Sequence, residues 1–136
     1  MALYGCETWT LKAEDQKRIS AFEMTTYRKL LRVSWMEHRT NESILEEIQP
    51  EQRLLEVVMK RKLKYFEHII RADYLPAFIC QGYVGGKRAR GRPRRRWMDD
   101  VMEWTGMSIA ECTRKANNRE EWRKLTSFDL VSDPQK

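Results

Sequence analysis

The sequence predicts an all-α protein, a small bundle of five or six helices with a long basic loop around residues 73–93. Apolar residues recur at helical spacing in the first half, and capping motifs punctuate the second. No stretch alternates apolar and polar residues as a strand would. At 136 residues the chain fits one domain with a modest core. It divides into an N-terminal helical part (1–72), the Gly- and Pro-containing basic loop (73–93), short C-terminal helices (94–126) and a disordered tail (127–136).

Each element has its own signal. Ile19, Phe22, Thr26, Leu30 and Val33 share one helical face, which predicts a helix over about 12–34 with those side chains turned inward. Lys17, Arg18, Arg28, Lys29 and Arg32 fall on the opposite face. Thr40 can cap a short helix carrying Ile44, Leu45 and Ile48, which must end before Pro50. Pro50 itself suits the first turn of the next helix. There Leu55, Met59, Leu63, Phe66 and Ile70 form a core-facing stripe, and Arg53, Lys60, Lys64 and Arg71 line up on another side. From Asp73 to Gly86 the periodicity disappears among Pro76, Gly82, Gly85 and Gly86, as in a loop. A helix resumes near Pro93 or Arg94 and runs through Trp97, Val101 and Trp104 to Gly106, a residue suited to the position past a helix end. Ser108-Ile-Ala-Glu111 is a capping box, and Asn118-Arg-Glu-Glu121 repeats the arrangement before a last helix with Trp122 and Leu125. At helical spacing Trp97, Trp104 and Trp122 read as core anchors rather than as stacking platforms for bases.

Charge is distributed unevenly. The chain has 26 Lys and Arg against 20 Asp and Glu, a net +6. Residues 85–97, GGKRARGRPRRRW, hold seven bases and no acid. Without those seven the chain has 19 bases against 20 acids, net −1. The excess therefore sits in one short segment, which points to a polyanionic partner. With a third of its residues charged and a mean hydropathy of −0.74, the chain offers no bilayer-spanning stretch, and no membrane partner is expected. MALYGCETW lacks the basic and apolar regions of a signal peptide. Cys6, Cys80 and Cys112 are odd in number and far apart, which fits a reduced intracellular compartment, nuclear or cytoplasmic.

Candidate chemistry is sparse. Trp97-Met-Asp-Asp100 resembles the Tyr-x-Asp-Asp of reverse transcriptases, whose carboxylates hold two metal ions. In a helical pattern, however, adjacent residues point about 100° apart and cannot converge on one ion. The acids are better read as favoured by the helix dipole. The cysteines, with His38 and His68, lack zinc-ligand spacing, so no metal site is expected. Cys80 has no evident base, and no nucleophile elbow or phosphate-cradling glycine loop is present. No cofactor and no catalysis are expected. The basic segment remains. Its centre, Arg90-Gly91-Arg92-Pro93, matches the middle of an AT-hook, although Ala89 stands where that motif has its first proline. Minor-groove insertion, general phosphate binding and a passive solvated linker are all open readings.

Six stretches, LYGCETW, FEMTTYRKLLRVSW, TNESIL, RKLKYFEHIIR, GRPRRRWMDDV and NREEWRKL, occur in one order over roughly residues 3–125. Together they resemble the region that follows the polymerase core in non-LTR (LINE-type) retrotransposon reverse transcriptases. Tyr4, Gly5, Glu7 and Trp9 match one family pattern, and Gly91, Arg92, Pro93 and Trp97 match another. Glu67 departs from the family's Gly-His. At the edge of the apolar stripe it predicts an adjusted helix contact. The resemblance implies a truncated or captured tail that begins at the end of the polymerase thumb region and lacks the polymerase and endonuclease active sites. Such a tail is expected to bind RNA or DNA, with an upstream polymerase domain in trans as a further partner. Lys87, Arg88, Arg90, Arg92, Arg94, Arg95 and Arg96 would neutralise phosphates, and Arg53, Lys60, Lys64 and Arg71 would extend the track. The alternative is a protein-interaction module or an inert remnant of a mobile element. Either way residues 1–9, the stranded end of a lost upstream helix, should contribute little to stability.

Overall fold

The computed structural model describes residues 3–72 and 94–127, with Ala77, Ile79, Arg90 and Gly91. Among the described residues the regular structure comprises six α-helices, two 3₁₀ turns and the helical positions Ala77 and Ile79, and there is no strand. The helices are α1 (Ala13–Leu30), α2 (Asn41–Ile48), α3 (Leu54–Arg71), α4 (Trp97–Thr105), α5 (Ile109–Asn117) and α6 (Arg119–Ser127). The protein is all-α. The chain forms two compact units: residues 11–57, and residues 1–10 together with 58–136.

The 11–57 unit departs from its sequence pattern at α1. Phe22 and Leu30, expected inside, are 55% and 72% exposed, while Glu23 and Met24 are buried at 5% each. The buried face is rotated by about one residue, because Glu23 has partners that hydrophobic spacing does not reveal. One of its oxygens accepts the Leu54 N–H at 2.6 Å and the Tyr27 hydroxyl at 3.1 Å; the other accepts Arg53 Nε at 2.6 Å. The carboxylate thus sits on the first N–H of α3, where an unsatisfied donor and the helix dipole both favour an anion. This contact starts α3 at Leu54, and Pro50 precedes the helix instead of lying in its first turn.

Helix α1 also stops earlier than its pattern. Arg32 adopts a left-handed φ of 55°. Its N–H donates to the Lys29 carbonyl at 3.2 Å, and the Val33 N–H donates to that of Arg28 at 3.0 Å. This is a Schellman ending with arginine where glycine is usual. Thr40 caps α2 as expected, its hydroxyl accepting the Ser43 N–H at 3.2 Å. Gln49 ends α2 in a left-handed conformation, donating to the Leu45 carbonyl at 2.8 Å. Ile44, the central apolar residue of α2, is fully buried.

In the other unit the α3 stripe holds. Met59, Leu63, Phe66 and Ile70 are buried, joined by Val58 and Ile69. Leu63, Phe66, Met98, Val101, Cys112 and Trp122 form the centre of one core cluster, with Trp97 and Trp104 packed against it. Trp122 is wholly enclosed, stacks at a tilt 5.3 Å from Phe66, and donates its indole N–H to the Leu63 carbonyl at 3.1 Å. All three tryptophans read as anchors therefore lie on or in the core.

Local capping explains the short helices. Gly106, at φ 66°, closes α4 by donating to the Met102 carbonyl at 2.9 Å. At α5 the Ser108 N–H donates to Glu111 at 2.9 Å, and Ser108 Oγ accepts the Glu111 N–H at 3.4 Å. At α6 Asn118 accepts the Glu120 N–H at 3.2 Å, while Glu121 accepts from the Asn118 side-chain amide instead of its backbone. Helix α6 runs to Ser127, and the expected tail beyond it lies outside the described residues.

Of residues 73–93, expected to form a loop, Ala77, Ile79, Arg90 and Gly91 are described and the rest lie outside the described residues. Ala77 and Ile79 are helical, and Ala77 belongs to the core cluster. One expectation is corrected here. Residues 3–9, expected to be stranded, are docked. Cys6 is fully buried, the Trp97 indole N–H donates to the Glu7 carbonyl at 2.9 Å, and Lys62 Nζ donates to the Trp9 carbonyl at 2.7 Å. The segment is held by its backbone oxygens and by the buried Cys6 side chain.

Candidate nucleic-acid interface

Arg94, Arg95 and Arg96 lead into α4, and Arg96, the N-cap, is extended at φ −95° and ψ 159°. Asp99 accepts the Arg96 backbone N–H at 2.7 Å and so fixes the helix start. Arg94 and Arg96 are exposed, and among the described residues neither enters an ion pair.

Arg95 is different. Its Nε donates to Asp100 Oδ1 at 2.6 Å, and its Nη2 donates to the Glu103 carboxylate. Asp100 and Glu103 stand three residues apart on α4, so their carboxylates share one face. Asp100 is fully buried, and its second oxygen accepts from Lys62 Nζ, also fully buried. The Lys62 ammonium lies 4.7 Å from the ring centre of Trp97 and 5.3 Å from that of Trp104, within cation–π range. Burial pushes the Lys62 pKa below the ordinary lysine value, against the pull of Asp100, and the nearby Arg95 charge acts in the same direction as burial. For Arg95, burial works against the charge, and the hydrogen bonds and charges of Asp100 and Glu103 prevail, raising its pKa.

The two carboxylates of the Trp-Met-Asp-Asp stretch therefore have separate structural work. Asp99 caps α4, and Asp100 anchors the Lys62–Arg95 network. Among the described residues no group of three metal-ligating side chains exists, and Cys6 and Cys112 are buried free thiols. Burial raises the Cys112 thiol pKa.

The remaining candidate cations differ in exposure and pairing. Arg90 is exposed, and the backbone bends at Arg90 and Gly91, whose φ of 131° suits glycine. Lys87, Arg88 and Arg92 lie outside the described residues. On α3 Lys64 is exposed and Lys60 half-buried. Arg71 is 2.5 Å from the carboxylate of Glu67, which is 6% exposed. The ion pair offsets the charge of a glutamate at the edge of the apolar stripe, although Oε1 accepts no hydrogen bond among the described residues. Arg53 belongs to the 11–57 unit and pairs with Glu23. Arg53, Arg71 and Arg95 thus serve internal carboxylates, while Arg90, Arg94, Arg96 and Lys64 face solvent. The sequence did not single out Lys62, a lysine inside an apolar stripe, or Asp100 as its partner. No described helix is long and apolar enough to cross a membrane. Comparison with protein-family models, curated proteins and solved structures returns no match.

Proposed function

We propose that this protein is a non-catalytic nucleic-acid-binding helical module, akin to the tail that follows the polymerase core in non-LTR retrotransposon reverse transcriptases. The observation that carries the reading is the concentration of the whole net charge in residues 85–97, with Arg90, Arg94 and Arg96 presented to solvent. Phosphate neutralisation by such a segment releases condensed counterions, so affinity must fall with salt. With Arg95 committed internally, six of the seven bases remain, and on duplex DNA the log–log slope should be no steeper than about −5. The Arg94→Gln/Arg96→Gln double variant should weaken binding to every sequence and flatten the slope by up to about 2. Absence of wild-type binding at roughly 50 mM salt, where non-specific contacts are strong, would sink the reading.

A protein-interaction module is the second reading. It is favoured by the exposed apolar side chains of the 11–57 unit, Phe22, Leu30, Trp35 and Met36. Binding to a protein partner without salt-dependent nucleic-acid affinity would select it.

A further inference from the structure

We infer that Arg95 is a positioning residue, which registers the 94–96 triplet on α4 so that Arg94 and Arg96 face outward as phosphate contacts. The inference rests on the proposed nucleic-acid reading and divides the labour within it. The Arg95 guanidinium engages Asp100 through Nε and Glu103 through Nη2, two carboxylates one helical turn apart. A planar fork presents Nε and Nη2 to the two carboxylates from separate atoms in fixed directions, whereas an ammonium presents all its donors from one atom. Asp100 is itself immobile, since it is fully buried and held by Lys62, which is tied in turn to the Trp9 carbonyl. The anchor is thus continuous with the core. Arg95 is turned toward α4 by these two bonds and is partly buried, while Arg94 and Arg96 on either side of it are exposed. The triplet reads as out, in, out.

The first test uses the unaltered protein. In guanidinium NMR spectra the Arg95 Nε–H should be protected from solvent exchange, while those of Arg94 and Arg96 exchange freely. Adding a mixed-sequence 20-base-pair duplex should shift the signals of Arg94 and Arg96 and leave that of Arg95 in place. Salt titrations with the same duplex then separate the roles. Arg94→Gln and Arg96→Gln should each flatten the log–log slope by about 0.9. Arg95→Gln should keep the wild-type slope and weaken binding roughly threefold to tenfold at every salt concentration, the cost of ordering a released segment. Arg95→Lys, which keeps the charge but cannot bridge, should bind as weakly as Arg95→Gln. Free exchange at Arg95, or a flattened slope in Arg95→Gln with full rescue by lysine, overturns the positioning role. Failure of the wild-type protein to bind the duplex while Arg95 stays protected instead refutes the nucleic-acid reading and leaves the anchor standing.

Discussion

The unit built from residues 1–10 and 58–136 encloses Leu63, Phe66 and Trp122 completely, and its helices meet through side chains far apart in sequence. In the 11–57 unit the buried apolar residues are Leu11, Met24 and Ile44. There polar side chains take a larger share of the closure. Glu23 holds Arg53 and the Leu54 N–H, Arg28 reaches Asn41 at 2.8 Å, and Arg39 joins Ser43 to Glu47. One unit is held by enclosed volume. The other is held by capping and a small set of directed bonds, and it leaves Trp35 81% exposed. Each mechanism has its own weak points, and substitutions can expose them.

The largest effect is expected at Trp122. Truncation to alanine removes a fully enclosed ring and its bond to Leu63, and should cost about 3–5 kcal/mol in chemical denaturation. A loss under about 1 kcal/mol would show that enclosed volume is not what holds that unit.

Deletion of residues 1–9 comes next. It uncovers the pocket of Cys6, strips the Trp97 indole N–H of its acceptor, and leaves buried Lys62 with one fewer oxygen. Unsatisfied buried donors make this a loss of about 2–4 kcal/mol. Urea unfolding of the shortened chain at wild-type stability would mean that the segment is not docked.

The smallest effect sharpens the other side. Arg32→Gly places the usual residue in the left-handed position that ends α1, and should stabilise by up to about 1 kcal/mol. No gain in denaturation midpoint would mean that the arginine side chain offsets its own backbone strain.

The same contrast explains what the sequence disclosed. Caps at Thr40, Ser108 and Gly106 were legible because both partners lie within a few residues. The α3 stripe was legible because five apolar residues keep helical spacing over four turns. The inward face of α1 was not, since a buried carboxylate looks polar until its partners, some 30 residues on, are known. The docking of residues 3–9 was not legible either, for its hydrogen bonds use backbone carbonyls that every residue owns and its one buried side chain is the lone Cys6. Within the candidate site, composition located the basic segment. It could not separate Arg95 from its neighbours, because that difference depends on which way the side chain turns and on a buried aspartate five residues ahead.

Docking of the first residues onto later ones has a consequence for synthesis on the ribosome. The chain emerges from its N-terminus, and residues 11–57 can close on themselves as soon as they are clear. Glu7 must wait for Trp97, 90 residues downstream, and Trp9 for Lys62, 53 downstream. Until Trp97 emerges, residues 3–9 have at most the Lys62 part of their docking site. The discontinuous unit is completed only after the contiguous one has emerged, and an interruption of translation before α4 releases a polypeptide in which Glu7 still lacks the Trp97 contact.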